Sequence, residues 1–190
     1  MFEIREAAIE DLDEVAMIHA LTIPHSINSA MGLNRLRGLY LFTLLDKDSL
    51  LLIATEDNRV IGFISGTSEF RNLARGATTD ISIRQIVNVF KKMNPFRLII
   101  AAFDLILLSR AFQKLDNFYY LLSWGMIPNS HPTAGSALFR ELVKRVRISG
   151  AQSIIVNVNK NNSKVLRMYR TLGFLPVTKT ISELILKKQY

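Results

Sequence analysis

The chain has 190 residues, 49% of them hydrophobic and 21% charged, which excludes a mainly disordered protein and suits one compact domain, or one domain with an insertion, around a well-filled core. It has no cysteine and three scattered histidines, so disulfides and thiolate metal sites are excluded and no metal centre is expected. The net charge of +8 favours anionic partners, whether nucleic acid, an anionic membrane surface or a phosphorylated cofactor.

The first segment, "FEIREA" at residues 2–7, alternates apolar and polar side chains and reads as a strand. "DLDEVAMIHALTI" then sets Leu12, Val15, Ala16 and His19 at helical spacing behind an acidic first turn. Acidic residues stand where a secretory leader would be basic and then apolar, so the chain reads as starting inside its fold, with a cytoplasmic location as the expectation. "SLLLIATEDNRVIGFISGTS" reads as two antiparallel strands joined at the polar "EDNR" turn, and Gly62 and Gly66 in the second strand suggest a bulge or a close backbone approach.

Residues 81–114 break the rhythm. Ile83, Ile86, Val87 and Phe90 lie on one helical face, Pro95 acts as a breaker, and a second helix-like run extends from Phe96 to about Lys114. This is an inserted helical pair after the third strand. Its most apolar stretch, Leu98 to Leu108, has 11 residues with Asp104 inside, against roughly 20 for a bilayer span, so no transmembrane span is expected. Beyond it come a strand at "FYYLLSWGMIP", a helix "AGSALFRELVKRVRISG" closed by Gly150, a strand "QSIIVNV", a short helix, and the strands "LPVTKT" and "SELILKK". The order predicts a mixed α/β sheet covered by helices.

Two segments carry chemistry. In "LLSWGMIPNSHPTAGSALFREL" a strand ends near Pro128, and Gly135, Ser136 and Ala137 open a helix with no bulky side chain at its start. Backbone N–H groups there can address an anion, helped by the positive end of the helix dipole. In "NNSKVLRMYRTLGF" an asparagine caps a helix of about three turns and Gly173 fits its end. Asn162 and Tyr169, seven residues apart, share one side of that helix. Capping plus a packed tyrosine is the bland alternative.

With these segments in this order, "LLSWGMIP", "AGSALF", "IIVNV" and "NNSKVLRMYRTLGF" resemble the GCN5-related N-acetyltransferase (GNAT) family, as does the opening "IREAAIEDLDEV". The resemblance covers residues 2–70 and 117–187 and leaves the insertion outside. It implies the acyl-CoA N-acyltransferase fold, a mostly antiparallel sheet flanked by helices, in one domain over residues 1–190. It also implies acetyl-CoA as co-substrate, with the pantetheine arm beside the backbone of Trp124, Gly125 and Met126 and with Asn162 contacting that arm. The phosphates would meet the N–H groups of Thr133, Ala134, Gly135, Ser136, Ala137 and Leu138. Tyr169 takes the position of the residue that protonates the departing thiolate. In the family's loop pattern Ser130 stands in place of Gln or Arg, Thr133 replaces the first glycine, and only Gly135 matches.

The implied reaction is acetyl transfer by direct attack of a primary amine on a small molecule, an amino sugar among the candidates, or on a peptide. Glu69, at the end of the third strand, is the first candidate for the base that frees the amine, and His25 is the second. The insertion lies where such proteins diversify their acceptor side. A second reading is a non-catalytic acyl-CoA-binding or regulatory module with a degenerate phosphate loop. A third is contact with an anionic membrane surface through Arg84, Lys91, Lys92 and Arg97, and apolar area on the insertion would suit a homodimer. No basic-aromatic motif of a nucleic-acid-binding module is present, so no nucleic acid is expected.

Overall fold

The computed structural model describes residues 1–69, 94–113 and 115–190. The expected helix with Ile83, Ile86, Val87 and Phe90 on one face lies outside them. Strand β1 (Phe2–Glu6) leads through a 3-10 turn (Ile9–Asp11) into α1 (Leu12–Thr22), followed by α2 (Ile27–Met31) and α3 (Leu33–Leu45). Strands β2 (Ser49–Glu56) and β3 (Arg59–Thr67) form the expected hairpin, and α4 spans Pro95–Phe112. Next come β4 (Phe118–Met126), α5 (Ala134–Ile148), β5 (Ser153–Asn159), α6 (Ser163–Thr171), β6 (Leu175–Lys179) and β7 (Glu183–Gln189). The strands make one seven-stranded sheet in the order β1-β2-β3-β4-β5-β7-β6, antiparallel except for β4 with β5.

Local chemistry explains most boundaries. The β2–β3 turn puts Asp57 and Asn58 at φ of 50° and 60°, the left-handed conformation that short acidic and amide side chains tolerate in two-residue hairpins. Pro95 opens α4: Asn94 caps the helix by accepting the Phe96 N–H at 2.9 Å, and a proline at the first position lacks only an N–H that would have no helical partner. No helix among the described residues is long and apolar enough to cross a membrane.

The sequence reading assigns no element between Ile23 and Ser49, yet α2 and α3 lie there. Gly32, at φ 103°, separates the two helices. The buried face of α3 carries Arg35, Tyr40 and Thr43 beside Leu36, so the usual apolar stripe is blurred by polar residues.

One face of the sheet is covered by α5 and α6. Leu138, Phe139, Leu142 and Val146 of α5 and Tyr169 of α6 pack there on Leu52, Ile64, Leu121 and Val156. The other face is covered in two parts, by α1 and α3 over β2 and β3, and by Leu108 and Phe112 of α4 over Tyr120, Ile155 and Ile185. Both strand glycines mark close approach. A Cβ on Gly62 would lie 2.1 Å from Met126 Sδ, and one on Gly66 2.7 Å from the Tyr120 carbonyl oxygen. The register between β3 and β4 shifts next to Gly66, where Ser65 pairs with Ser123 and Gly66 with Leu121, leaving Leu122 as an extra residue. This bulge divides the side chains of β4 between the two faces: Leu121 and Trp124 join the α5 face, while Leu122 packs with the α4 cluster and Ser123 bonds Tyr40 of α3.

A buried polar chain runs under α1 and α3. Ser65 and Ser123 share a bond of 2.7 Å, Ser123 meets the Tyr40 hydroxyl at 2.9 Å, and Tyr40 meets His19 Nδ1. His19 Nε2 lies 3.2 Å from Ser26 Oγ, which is linked through Ser29 to the Ile23 carbonyl. Every group is satisfied if Tyr40 donates to a neutral His19 that donates onward from Nε2. Burial lowers the His19 pKa from 6.5 to about 4. The unfolded chain therefore takes up this proton first as pH falls, and the stabilisation is complete above pH 6.5 and lost on the way down to 4. The expected size is at most about 3 kcal/mol. Urea unfolding of the wild type and His19→Gln at pH 7, 6, 5 and 4.5 measures it: the wild type should lose more stability than the variant over this window, and parallel profiles would refute a neutral buried histidine.

Candidate cofactor and acceptor site

The parallel ladder between β4 and β5 covers only residues 118–120 against 153–155. Beyond it β4 continues through residues 121–126 and β5 through 156–159 without pairing to each other, while β4 stays bonded to β3 as far as Met126. The extra residue at Leu122 bends β4 at the point where the strands part. Backbone groups of residues 121–126 that face β5 are thus left without a ladder partner among the described residues, an edge in mid-sheet that an extended ligand can pair with.

The start of α5 lies against the end of β4. A Cβ on Gly135 would sit 3.4 Å from Met126 Cγ and 3.7 Å from Trp124 Cζ2, in ordinary contact. Of the six N–H groups expected to serve an anion, Ala134 donates to the His131 carbonyl at 3.1 Å, Ala137 to that of Thr133 at 2.9 Å, and Thr133 to His131 Nδ1 at 3.4 Å. Leu138 is fully buried and anchors the helix in the core. Gly135 and Ser136 are left, their N–H groups having no acceptor among the described residues. No acidic side chain stands in the first turn of this 15-residue helix, so its positive end is uncompensated.

The Trp124 ring joins these features. It stacks on Phe139 at 5.5 Å and meets the edge of Tyr169 at 6.2 Å. Its indole N–H is buried without a partner among the described residues, a group that costs free energy unless something accepts from it. Tyr169 is the buried residue of α6, packed at 5.0 Å against Phe174. Its hydroxyl has no hydrogen-bond partner among the described residues and is not sealed from solvent. Burial pushes its pKa above the ordinary phenol value, so it holds its proton through the neutral range.

Asn162 caps α6 by accepting the Val165 N–H at 3.2 Å, and Gly173, at φ 86°, follows the helix end. Capping thus occupies the Asn162 carbonyl oxygen and leaves its NH₂ group. Gly125 is buried between sheet and α1, where a Cβ would lie 2.5 Å from Thr22 Oγ1. His25 is exposed in the loop between α1 and α2. Glu69 is exposed two residues beyond β3, and since Thr67 pairs with Tyr120 it stands beside the paired start of β4 rather than its unpaired end.

No protein-family model and no curated protein matches the sequence, but solved structures do. PaiA N-acetyltransferase from Thermoplasma acidophilum, in complex with coenzyme A, superposes with a TM-score of 0.65 at 20% identity, covering 100% of this chain and 99% of that one. Ribosomal-protein-S18-alanine N-acetyltransferase from Escherichia coli gives 0.61 at 12% identity, covering 100% and 94%. YncA from Salmonella typhimurium with its cofactor acetyl-CoA gives 0.58 at 16%, covering 99% and 93%. The fold is that of the GNAT acetyltransferases.

In this GNAT fold a polar chain that sequence reasoning missed lies on the face opposite α5, beside the point where β4 and β5 part. Tyr120 of β4 donates to Asn157 Oδ1 of β5, and Asn157 Nδ2 donates to Glu183 Oε2 at the start of β7. The Tyr120 hydroxyl is also within electrostatic range of both Glu183 and Tyr169, which add to the effect of burial in raising its pKa. The one local signal was Asn157, a polar residue inside the apolar strand "IIVNV". Helix α4 holds this corner in place: Asp104 accepts the Ile181 N–H at 2.7 Å and the Ser182 N–H at 3.2 Å, together with the Ser182 hydroxyl. Burial alone would raise the Asp104 pKa, but these donors outweigh it and hold the carboxylate below its usual range.

Proposed function

We propose that the protein is an acetyl-CoA-dependent N-acetyltransferase that acts on a primary amine of a small molecule or peptide by direct attack in a ternary complex. The observation that carries this reading is the unpaired stretch of β4 running into a helix start with two unused N–H groups, with the Tyr169 hydroxyl beside the same strand. The donor set fits the cofactor. Gly135 and Ser136 suit its diphosphate, the open backbone of residues 121–126 suits the amide-bearing pantetheine arm, and the orphaned Trp124 N–H offers one more donor in that gap.

Acetyl-CoA supplies an activated acyl group on a good leaving thiolate. The chain's residues supply the rest. The sheet and α5 hold the donor extended, the aromatic set Trp124, Phe139 and Tyr169 excludes water from one side, and the protonated Tyr169 hydroxyl holds a proton for the leaving sulfur. Residues 81–114 are best understood as an insertion into a single domain, with α4 shaping the acceptor side next to Glu183.

The test is ligand-linked stability. Acetyl-CoA at a hundredfold excess over Kd should stabilise the fold by about 2.7 kcal/mol, on the order of 5–10 °C in Tm for a chain of this size. Desulfo-CoA should do nearly as well, since most of the expected contacts are to phosphates and the pantetheine arm. If millimolar concentrations of both leave Tm unchanged, the cofactor assignment is wrong.

A further inference from the structure

We propose that Glu183 is the catalytic base that takes the proton from the acceptor's ammonium group, with Asn157 and Tyr120 as its positioning residues. The proposal rests on the acetyltransferase reading and names its missing half. Glu183 is a half-buried carboxylate at the corner where β5, β7 and α4 meet. Its Oε2 is fixed by Asn157 Nδ2, whereas Oε1 has no partner among the described residues and is not sealed from solvent. One oxygen is thus anchored and the other free to meet a cation.

The chain Tyr120–Asn157–Glu183 places that free oxygen on the opposite side of the strand gap from Trp124 and α5. Tyr120 lies within electrostatic range of both Tyr169 and Glu183. An amine entering from the α4 face would therefore meet the base before the acyl group, with the proton donor for the leaving sulfur beyond it.

The charges around Glu183 favour this role. Asp104 of α4 adds negative potential, Tyr120 of β4 is neutral, and the Lys160 ammonium after β5 is directed at the carbonyls of Thr180 and Ile181, at 2.6 and 2.8 Å. Burial raises the Glu183 pKa, the Asn157 bond opposes this and Asp104 reinforces it. A carboxylate shifted upward is a stronger base than an ordinary one. Two neighbouring acids also select for a cationic acceptor, an alkylammonium rather than a neutral amide or alcohol.

The proton balance closes. The ammonium N–H bond breaks with its electron pair left on nitrogen, and the proton goes to Glu183 Oε1 and then to solvent. That pair forms the C–N bond as the C–S bond breaks. The sulfur takes the Tyr169 proton, and the second proton lost from nitrogen as the amide forms returns to Tyr169.

The experiment compares wild type, Glu183→Gln and Glu183→Asp on two acceptors, n-butylamine, which is an ammonium ion at pH 7, and aniline, which is already a free base. With butylamine, Glu183→Gln should lose at least 10²-fold in kcat/KM and its acidic limb, and Glu183→Asp should recover part of both. With aniline the loss should be under fivefold. A structural role would depress both acceptors alike, and that result overturns the proposal. A second readout needs no turnover: in protein labelled with ¹³C at glutamate carboxyls, the resonance missing in Glu183→Gln should titrate above the ordinary carboxylate range and move down when butylamine is added. A resonance that ignores butylamine overturns the base assignment even in an active enzyme. No turnover by wild type on either amine counts instead against acetyl transfer to small amines, and the carboxyl titration still decides whether Glu183 receives the cation.

Discussion

Tyr169→Phe should lower the rate of acetyl transfer by roughly 10²-fold or more while leaving acetyl-CoA affinity unchanged, in line with the usual contribution of a positioned general acid. The variant keeps the ring that packs on Trp124 and Phe174. It removes a hydroxyl that makes no hydrogen bond among the described residues, so stability should change by less than about 1 kcal/mol. The separation of effects is the point of the experiment, read by steady-state kinetics, calorimetric titration with acetyl-CoA and urea unfolding of the same two proteins. The pH profile sharpens it. A free phenol loses its proton near a pKa of about 10, but burial raises that of Tyr169, so the wild-type rate should hold beyond the ordinary phenol range before its alkaline limb begins. That limb should be missing in the variant. Undiminished turnover would return Tyr169 to a packing role and leave the thiolate's proton to water.

Gly135 carries the second large effect. Its Cβ direction points at Met126 Cγ, 3.4 Å away, and at Trp124, so alanine fits in ordinary contact and should bind CoA almost as the wild type does. Valine adds two carbons that cannot both clear Met126 and Trp124, and the first turn of α5 must lift from β4 to make room. The Gly135 and Ser136 N–H groups move with it. We expect Gly135→Val to weaken CoA binding by well over tenfold with the fold retained, measured by calorimetry beside Gly135→Ala. Equal affinity in all three proteins would remove the helix start from the site.

Helix α4 bears on both expectations, because it packs on the sheet face opposite α5. Leu108 and Phe112 of α4 are core residues against Tyr120, Ile155 and Ile185, and Asp104 fixes the turn that presents Glu183. The apolar run from Leu98 to Leu108 owes part of its character to this packing, and its single acid is the residue that reaches across to the turn before β7. The charges Arg84, Lys91 and Lys92, raised for a membrane surface, lie outside the described residues, as does the first helix of the expected pair.

What the sequence determined by itself is what short-range chemistry can specify. Alternation marked the strands, the 3.6-residue spacing marked α1 and α5, and the asparagine and glycine at its two ends bounded α6, because each of these signals acts within a few residues. The order of those elements was enough to anticipate the sheet, and the resemblance to the GNAT family is what singled out Trp124, Gly135 and Tyr169, which the fold does bring together. Helices α2 and α3 escaped because the buried side of α3 is polar, satisfied by His19 and Ser123 from other elements, and periodicity of hydrophobic residues cannot report such a face. Tertiary structure alone decided the rest. One extra residue at Leu122 turns Ser123 away from Trp124 and accompanies the parting of β4 from β5, a change of register that no local spacing announces. Tyr120, Asn157 and Glu183 come from three strands and meet only because β5 lies between β4 and β7. A carboxylate at the head of the last strand acquires its surroundings, and with them its proposed role, only through that strand order, whereas Glu69, chosen from its place in the chain, is left exposed beside the paired start of β4.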